Sequence, residues 1–487
     1  MSPVSIRSLV RETALYGISG VVARSMGLLL LPVLSNLLPP EEFGHYKLAY
    51  VLIGLLQLFL VFGMGNSLVR YLIGAADKRL VFSSHFWPLL AISTLGSLAV
   101  FLSAGSLSAV YFAEPLPGDA GLIRLAALIL WFDSLSTLPY SLLRAENRPL
   151  AYVSGMSLQV VIYAILVVYL LGARHSGMTG VLIANAVGSG AVLIFFIPLL
   201  KNNLSAAFDS RAFRIYFAFG FPIIFSSLGK NLLDLADRWI LDRLMGAAVV
   251  AYYSAGYQLA AVANLAVAAF TLAWKPFLVR AAAEKGARET FARIMTLTIV
   301  ALCLLFLLIS FFADNLVKLS FFGYHLIQES YWPGLRVIPV VMVSYIFYGA
   351  YINLSVGCDL KGRTDYYAWT TGAAALFNIA ANFILIPPLG MLGSAWATLF
   401  AYLLQVALLY YLTRRLYPVT YEWAKLLRLG VLTGLCFAGA VLSGSSAPAE
   451  LLFSVLFLAG LFAFRIMDRQ VLRGLFSLLR RTTAGEE

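Results

Sequence analysis

A few charged side chains lie inside long apolar stretches of the sequence, and they are the first candidates for chemistry. Arg24 lies near the middle of the apolar run 12–36, and Asp133 near the middle of 121–142. A charge at the centre of a membrane helix costs roughly 2.5–3.5 kcal/mol on insertion scales, so such residues indicate functional sites by default. Arg24 could hold an anion, because a guanidinium binds phosphate oxygens bidentately. The alternative is a structural ion pair between Arg24 and Asp133. Both interpretations are correct if Asp133 pairs with Arg24 in one conformation of the protein and releases it to a ligand in another.

A second charged group lies near position 230. Lys230, Asp234 and Asp237 are spaced i, i+4, i+7, which places them on one face of a helix. This face could complete an anion site, or it could pair an ion-coupling carboxylate with a cation. Alternatively, Asp237 and Arg238 lie in water and only mark a helix end. Asp133 and Asp234 are thus the candidate ion-coupling residues.

Amide, hydroxyl and aromatic side chains recur within the apolar runs and could line a polar cavity. The alternative for each is a hydrogen bond between helices, which is worth about 0.6–2 kcal/mol per pair and is common in membrane bundles. For one residue the alternative is favoured, but for the set some lining of a cavity is expected. The candidates are Tyr50, Gln57, Tyr257, Asn264, Asn378 and Asn382.

Composition determines the class of protein that positions these residues. The chain has 487 residues, of which 61% are hydrophobic and 12% charged, and its mean hydropathy is +0.87. Soluble chains are about a quarter charged, so a soluble globular fold, a disordered chain, a collagen and a disulfide scaffold are excluded. Cys303, Cys358 and Cys436 have no metal or redox spacing.

The apolar runs predict fourteen membrane helices, since each needs roughly 20 residues. The predicted spans are 12–36, 46–68, 82–104, 121–142, 151–172, 178–200, 213–236, 247–271, 292–313, 333–356, 366–386, 391–413, 425–443 and 449–466.

Basic residues are distributed unequally between alternate loops. With the N-terminus inside, 26 Lys and Arg residues fall on the inner side and seven on the outer side. This asymmetry follows the positive-inside rule and predicts that both termini are cytoplasmic. It also accounts for the net charge of +12 without a nucleic-acid partner. The basic amphipathic segment 468–481 is predicted to lie on the inner membrane surface, and the four histidines, near span ends, to be interfacial residues and not metal ligands.

Three short segments repeat in the same order at nearly one offset. Residues 39–50 match 246–257, the sequence Gly-Met-Thr-Gly at 177 matches Gly-Met-Leu-Gly at 390, and 146–149 matches 361–364. These matches predict a duplicated six-helix unit, and an even number of spans makes the repeat parallel. We therefore predict bundles over 1–205 and 206–415, with two additional helices and the basic tail over 416–487.

A duplicated helical bundle with small loops favours a carrier over a channel or an enzyme. Substrate is expected near the midplane between the halves, with rocking for alternating access. Pro222 is the best hinge candidate. The sequence contains no Walker loop, nucleophile triad or carboxylate pair, so we expect neither enzyme activity nor a cofactor, and a proton or Na⁺ gradient is the candidate energy source.

The stretch DRWILDRLMGAAVVAYYSAGYQLA (237–260), with SNLLPPEEFGHYKLAY (35–50) and PPLGMLGSAWAT (387–398), resembles the polysaccharide transporter family of Wzx-type flippases. This family belongs to the multidrug/oligosaccharidyl-lipid/polysaccharide exporter superfamily, and the resemblance runs from about residue 10 to 465. It implies two six-helix bundles around a central cavity, plus two further helices. It also implies transfer of an undecaprenyl-diphosphate-linked oligosaccharide across a bacterial inner membrane.

The resemblance gives the candidate residues roles. Arg24 and Lys230 would hold the diphosphate, and the tyrosine, asparagine and glutamine side chains the sugars. The implied partners are the lipid-linked substrate, membrane lipids and, as a further candidate, a polysaccharide polymerase or other assembly protein. The small residues Gly430, Gly434 and Ala438 either pack helices 13 and 14 together, which we favour, or form a groove for the polyprenyl tail.

Three other functions are alternatives to this one. A cation-coupled drug exporter of the same superfamily would have an acidic cavity without a central cation, which Arg24 argues against. A lipid II flippase has the same fourteen-helix plan. A membrane polysaccharide polymerase would need a large basic outer loop, whereas the outer loops here are short and acidic.

Overall fold

The chain folds as an all-α, multi-pass membrane protein. The computed structural model describes residues 25–321, 323–444 and 446–467. Over these ranges, twelve helices are long and apolar enough to cross a membrane, and each overlaps one of predicted spans 2–13. The eighth, Val262–Ala281, begins fifteen residues later than the predicted 247, because Ala247–Ala260 forms a separate short helix. The apolar helix Ala447–Ala463 corresponds to predicted span 14. Most of predicted span 1, with Arg24, and the tail 468–481 lie outside the described residues.

The helices up to residue 205 include five of the long ones, joined by shorter helices at their ends. They are α1 (Leu31–Leu37), α2 (Pro40–Val61), α3 (Met64–Leu72), α4 (Lys78–Leu102), α5 (Ala104–Tyr111), α6 (Asp119–Ala145), α7 (Pro149–Gly172), α8 (Gly177–Phe195) and α9 (Ile197–Asn203). Within this part α4 packs on α6, α6 on α8, and α7 on α8.

The rest of the chain also consists of long helices joined by shorter ones, and it contains a small β-hairpin. Its elements are α10 (Ser210–Met245), α11 (Ala247–Ala260), α12 (Val262–Ala281), α13 (Ala287–Lys318), β1 (Ser320–Phe321), β2 (Tyr324–His325), a 3₁₀ helix (Glu329–Val337), α14 (Ile338–Leu354), α15 (Val356–Lys361), α16 (Asp365–Leu389), α17 (Met391–Thr413), α18 (Trp423–Leu442) and α19 (Ala447–Ala463). The strands β1 and β2 pair antiparallel. The last two helices pack on each other and on α13.

Helix α10 is the longest element and contacts both parts of the chain. Its 36 residues extend for about 54 Å at 1.5 Å per residue, well beyond a hydrocarbon core of about 30 Å. It packs on α2, α3 and α4 and also on α16 and α17. Pro222, the predicted hinge, lies inside it.

Two close backbone approaches join α2 and α3 to the second part. A Cβ on Gly44 would overlap the carbonyl oxygen of Ala247, and a Cβ on Gly63 would overlap that of Gly220. Gly63 also has a φ of 72°, at the break between α2 and α3. Only glycine satisfies both conditions there, because it has no Cβ and adopts positive φ without strain.

The end of the molecule predicted to face outward is tied together by hydrogen bonds from the hairpin region. The Asn36 side chain donates to the carbonyl of His325 at 2.7 Å. The Tyr331 hydroxyl, which is fully buried, donates to the carbonyl of Leu38 at 2.7 Å. The predicted outer loop therefore closes over the start of α2.

The repeated segments adopt similar local structures. Gly177 and Gly390 have φ of 58° and 60° and stand at the starts of α8 and α17. Tyr46 on α2 and Tyr253 on α11 are both buried. The bundle limits at 205 and 415 remain a prediction.

Two histidines correct the expectation that all four are interfacial, because His45 and His85 are buried. The His45 ring bonds to Asp119 through Nδ1 and Oδ1 at 2.8 Å. The His85 ring contacts the Ser67 hydroxyl at 3.1 Å and the carbonyl of Val81 at 2.8 Å. Burial is tolerated because protein partners replace the water that the ring nitrogens have lost.

We predict that Gly44→Val separates α2 from α11. The added side chain has no space beside the Ala247 carbonyl, and such overpacking typically costs about 1–3 kcal/mol. The reporter is a Val51→Cys substitution, since Val51 is 1% exposed, in a variant without the native cysteines. A membrane-impermeant maleimide added outside should label the introduced thiol several-fold faster when Gly44→Val is also present.

The matched control is Gly105→Val, because a Cβ on Gly105 meets no atom within 4 Å. It should leave labelling and thermal stability unchanged. Equal labelling of the reporter thiol with and without Gly44→Val would show that this contact does not close the outer end.

Candidate functional site

A polar cavity of about 440 Å³ lies between the two parts of the chain. Its walls come from α2, α7, α8 and α10, together with residues 26 and 27. Aromatic, amide and cationic side chains dominate the polar lining: Tyr46, Lys47, Tyr50, Gln159, Tyr163, Asn185 and Arg238. We refer to this space as the central cavity.

Lys47 brings a cation to the central cavity from the first part of the chain. It lies in the second turn of α2, because that helix begins at Pro40 and not at the predicted residue 46. Its Nζ lies 5.0 Å from the centre of the Phe43 ring and 4.9 Å from that of Tyr46. Among the described residues it has no ion-pair partner. No described carboxylate therefore competes with an anionic ligand for Lys47.

Arg238 brings a second cation to the same cavity, from α10. Its Nη1 forms an ion pair with Asp237 Oδ1 at 2.8 Å, and Asp237 also accepts a 2.7 Å hydrogen bond from the Tyr253 hydroxyl. The guanidinium lies 4.6 Å from the centre of the Tyr257 ring, an attractive cation–π geometry. Asp237 is only 1% exposed, so this group is not the water-exposed helix end considered above.

The guanidinium of Arg238 retains unused donors. Both of its hydrogen bonds to described residues, to Asp237 and to the backbone carbonyl of Asp234, use Nη1. A guanidinium has five N–H donors. The Nε and Nη2 donors thus have no acceptor among the described residues, and Arg238 can bind a ligand in the cavity without losing Asp237.

A hydrogen-bonded chain leads away from the opposite wall. The Asn185 amide donates to the Tyr50 hydroxyl. The Ser189 hydroxyl donates to Asn185 Oδ1 at 3.2 Å and accepts from Gln159 Nε2 at 2.9 Å. Asp133 lies beside Ser189 and Gln159. The predicted carboxylate on α6 is therefore linked to the cavity through neutral polar groups.

A second polar cavity, of about 330 Å³, lies between α2, α3, α6 and α10. Its polar lining consists of Gln57, Asn66, Thr137, Arg144, Ser227 and Asn231. Lys47 and Gln57 are ten residues apart on α2, which corresponds to about 15 Å along the helix. The two cavities therefore follow one another along α2 and α10, towards the end where Arg144 meets the predicted cytoplasmic loop 146–149.

The structure brings only some of the predicted site residues to these cavities. Tyr50 lines the central cavity and Gln57 the second one, while Tyr257 reaches the site through Arg238. Lys230 has an exposed side chain and lies within electrostatic range of Asp234. Asn264 is half-buried on α12 and lines neither cavity.

The remaining predicted residues lie in other surroundings. Asn378 and Asn382 are fully buried, and Asn382 donates to the Asn378 carbonyl at 2.8 Å. Asn378 donates to Thr398 on α17 at 3.5 Å, so this pair lies at a helix–helix contact. Asp234 accepts a 3.2 Å hydrogen bond from the Tyr402 hydroxyl, and Arg24 lies outside the described residues.

Sequence reasoning did not select Lys47 and Arg238 for the site. It counted them among outer basic residues because it began the second span too late and ended the seventh too early. The available signal was the proline pair 39–40, since proline is favoured in the first turn of a helix. A helix starting there places Lys47 well inside the span.

Residues 222–384 match the MatE family. A Shigella flexneri protein whose name proposes O-antigen transport is 24% identical over 80% of this chain and 94% of its own length. The EPS I polysaccharide export inner membrane protein EpsE of Ralstonia nicotianae is 23% identical over 60% of this chain and 67% of its own length.

Solved structures share the fold at low identity. The lipid II flippase MurJ in an inward closed conformation superposes with a TM-score of 0.76 at 14% identity, over 95% of this chain and all of that chain. An inward-facing multidrug resistance MATE family transporter gives 0.58 at 15% identity, over 85% of this chain and 95% of its own. The family described as polysaccharide biosynthesis protein matches residues 9–282. That match covers more than half of the sequence, so the chain belongs to the polysaccharide biosynthesis protein family, within the exporter superfamily that its motifs predicted.

Proposed function

We propose that this protein is a flippase that moves an undecaprenyl-diphosphate-linked oligosaccharide from the cytoplasmic to the outer leaflet of a bacterial inner membrane. The product would supply surface polysaccharide biosynthesis. Family membership and the polysaccharide export proteins among its relatives support a transport function. The specific cargo is inferred from the chemistry of the central cavity.

The observation that carries the proposal is the pair of cations, Lys47 and Arg238, in that cavity. They come from α2 and α10 and face the same space. Two like charges near each other in a medium of low polarity are unfavourable, and Asp237 compensates only one of them. A diphosphate between them would supply the missing negative charge, and its oxygens would accept hydrogen bonds from the free N–H groups of the guanidinium.

The rest of the lining suits sugars. Hydroxyl and amide groups of Tyr50, Gln159 and Asn185 offer donors and acceptors, and the rings of Tyr46 and Tyr163 offer apolar faces. Sugar rings need both. The amide side chains in the second cavity continue this character, and that cavity would receive further sugar units.

Alternating access would use α2 and α10, because both helices line both cavities. At the predicted outer end the approach of Gly44 to Ala247 closes the space, while Arg144 lies near the predicted cytoplasmic end. Gly63 makes a similarly close approach to Gly220 nearer that end, so passage of cargo would require the two contacts to open in turn. Pro222, which removes one backbone hydrogen bond from α10, is the candidate hinge.

Asp133 is the better of the two candidate ion-coupling residues. Its described neighbours Ser189 and Gln159 are neutral, so binding a proton or Na⁺ would change the local charge without compensation. Asp234 lies within range of Lys230, Arg238 and Asp237. Because Asp237 pairs with Arg238, Lys230 is the cation that offsets Asp234. The chain through Ser189 and Asn185 to the cavity wall would transmit the state of Asp133 to the cavity.

A cation-coupled drug exporter is the second candidate, and the MatE match over 222–384 favours it. Such a protein would need an acidic cavity for cationic drugs. The free charge of Lys47 opposes this. A lipid II flippase, whose cargo also carries a diphosphate, differs from our proposal only in the glycan, and a polymerase is the least supported alternative.

Deletion of the gene tests the class of cargo. We expect a diphosphate-linked oligosaccharide to accumulate in the polyprenyl lipid fraction while surface polysaccharide falls. A leaflet-accessibility assay on vesicles then separates flipping from polymerisation, because a flipping defect leaves the lipid on the cytoplasmic leaflet. Accumulation of lipid II instead would replace the proposed cargo, and unchanged lipids in a host without a second flippase would favour drug export.

Lys47→Gln should lower transport by about tenfold to a hundredfold, since hydrogen bonds to charged groups contribute about 1.5–3 kcal/mol. Lys47→Arg should retain most activity because it keeps the charge. The measurement is the fraction of lipid-linked oligosaccharide reachable at the outer face. Lys78→Gln, which removes an exposed lysine, is the matched control, and equal transport by the two glutamine variants would remove Lys47 from the substrate site.

Asp133→Asn should make transport slow and insensitive to collapse of the proton or Na⁺ gradient. Asparagine keeps the shape of the side chain but cannot change charge. Asp234→Asn is the comparison, and it should keep the dependence on the gradient. The assay measures transport into vesicles with and without a protonophore, and with Na⁺ replaced by K⁺. Full gradient dependence in the Asp133→Asn protein would exclude Asp133 as the coupling residue.

A further inference from the structure

A third cavity, of about 310 Å³, lies away from the transport site, where α18 and α19 meet the second bundle. Its walls come from α13, the 3₁₀ helix, α14, α18 and α19. It contains two acids and two bases: Asp314, Lys318, Arg336 and Glu450. We refer to it as the peripheral cavity. From its mixed charge and its position we propose that it binds the headgroup of a phospholipid with a primary amine, of the phosphatidylethanolamine class, from the outer leaflet.

Glu450 would bind the ammonium group of the lipid headgroup. It is only 4% exposed, and its one hydrogen bond from a described side chain, from Asn315, is long at 3.4 Å. Asp314 lies within electrostatic range and adds to the negative potential. A buried carboxylate needs a compensating partner, and a primary ammonium offers three donors.

Lys318 and Arg336 would bind the phosphate group of the lipid headgroup. Neither has an ion-pair partner within the described part of the chain. The Lys318 ammonium lies 5.6 Å from the centre of the Trp332 ring. The Ser310 hydroxyl lines the same cavity and has no hydrogen-bond partner among the described residues. Two cations and a free hydroxyl are suited to phosphate oxygens.

The surroundings favour a lipid over a soluble zwitterion. The cavity has an apolar wall of Phe311 and Phe437. At the rim of the cavity on α18, Val441 is 51% exposed and the adjacent Leu442 is 88% exposed, as expected for side chains that face acyl chains. Trp332 is half-buried at the end of the bundle, a position typical of an interfacial anchor.

The test uses the purified full-length protein in detergent, with native mass spectrometry and three lipids with identical acyl chains. These are phosphatidylethanolamine, phosphatidylcholine and phosphatidylglycerol. We expect phosphatidylethanolamine to bind several-fold tighter than either other lipid. Phosphatidylcholine lacks the donors for Glu450, and phosphatidylglycerol lacks the positive charge.

Glu450→Gln should weaken phosphatidylethanolamine binding about tenfold, while phosphatidylglycerol binding stays equal or tightens because a negative charge is lost. Glutamine keeps an oxygen for Asn315. Arg336→Gln, at an exposed position, should weaken both lipids through the phosphate and remains informative if the Glu450→Gln protein does not fold. Glu114→Gln removes an exposed outer acid and should change neither.

Three outcomes would overturn the proposal. They are an unchanged lipid preference in the Glu450→Gln protein, an equal loss in the Glu114→Gln protein, and tighter binding of phosphatidylglycerol than of phosphatidylethanolamine by the unaltered chain. The Lys47→Gln protein should bind lipid normally. A failed transport prediction and a failed lipid prediction are therefore distinguishable.

Discussion

A charged side chain at membrane depth is stable only where protein groups replace the water it has lost, and this constraint organises the site. Arg238 meets it through Asp237, which is in turn held by Tyr253. Lys47 meets it through the faces of two aromatic rings on its own helix and through the cavity itself. The aromatic side chains around the two cations therefore do more than fill space. They allow a positive cavity to exist inside an apolar bundle.

The same constraint explains why α2 and α10 are built unusually. Both helices must carry polar groups on the side that faces the cavity. In addition, α2 must pack closely on α11, and the turn after α2 must pack closely on α10. Gly44 and Gly63 permit that approach because backbone lies directly against backbone. The contacts are suited to a movable interface, since smooth glycine surfaces separate without breaking interlocked side chains. The long α10, shared between both parts, connects the two ends of the cavity path.

The last two helices stand outside this arrangement, and their role follows from where they pack. Among the described residues they pack on each other and on α13, and Trp423 of α18 also contacts Tyr410 of α17. Together with charged residues of other elements they enclose the peripheral cavity. A lipid held there would join α18 and α19 to the second bundle. On the small-residue face of α18, Gly430 and Gly434 have open space beside them. These two residues therefore do not form the helix packing that we predicted. Gly439 on α18 and Gly460 on α19 instead lie against side chains of the neighbouring helix.

The sequence by itself determined the helical membrane class and predicted spans 2–13, because bilayer thickness dictates the length of an apolar run. Only the tertiary structure decided which polar residues face the cavities. Tyr50 and Gln57 face them, while Asn378 and Asn382 are held in a helix contact. In a membrane helix nearly every face is apolar, so periodicity does not reveal rotation, and packing against neighbouring helices sets it. The depth of Lys47 depended likewise on where α2 begins, which is decided by the turn before that helix and by its contact with α11.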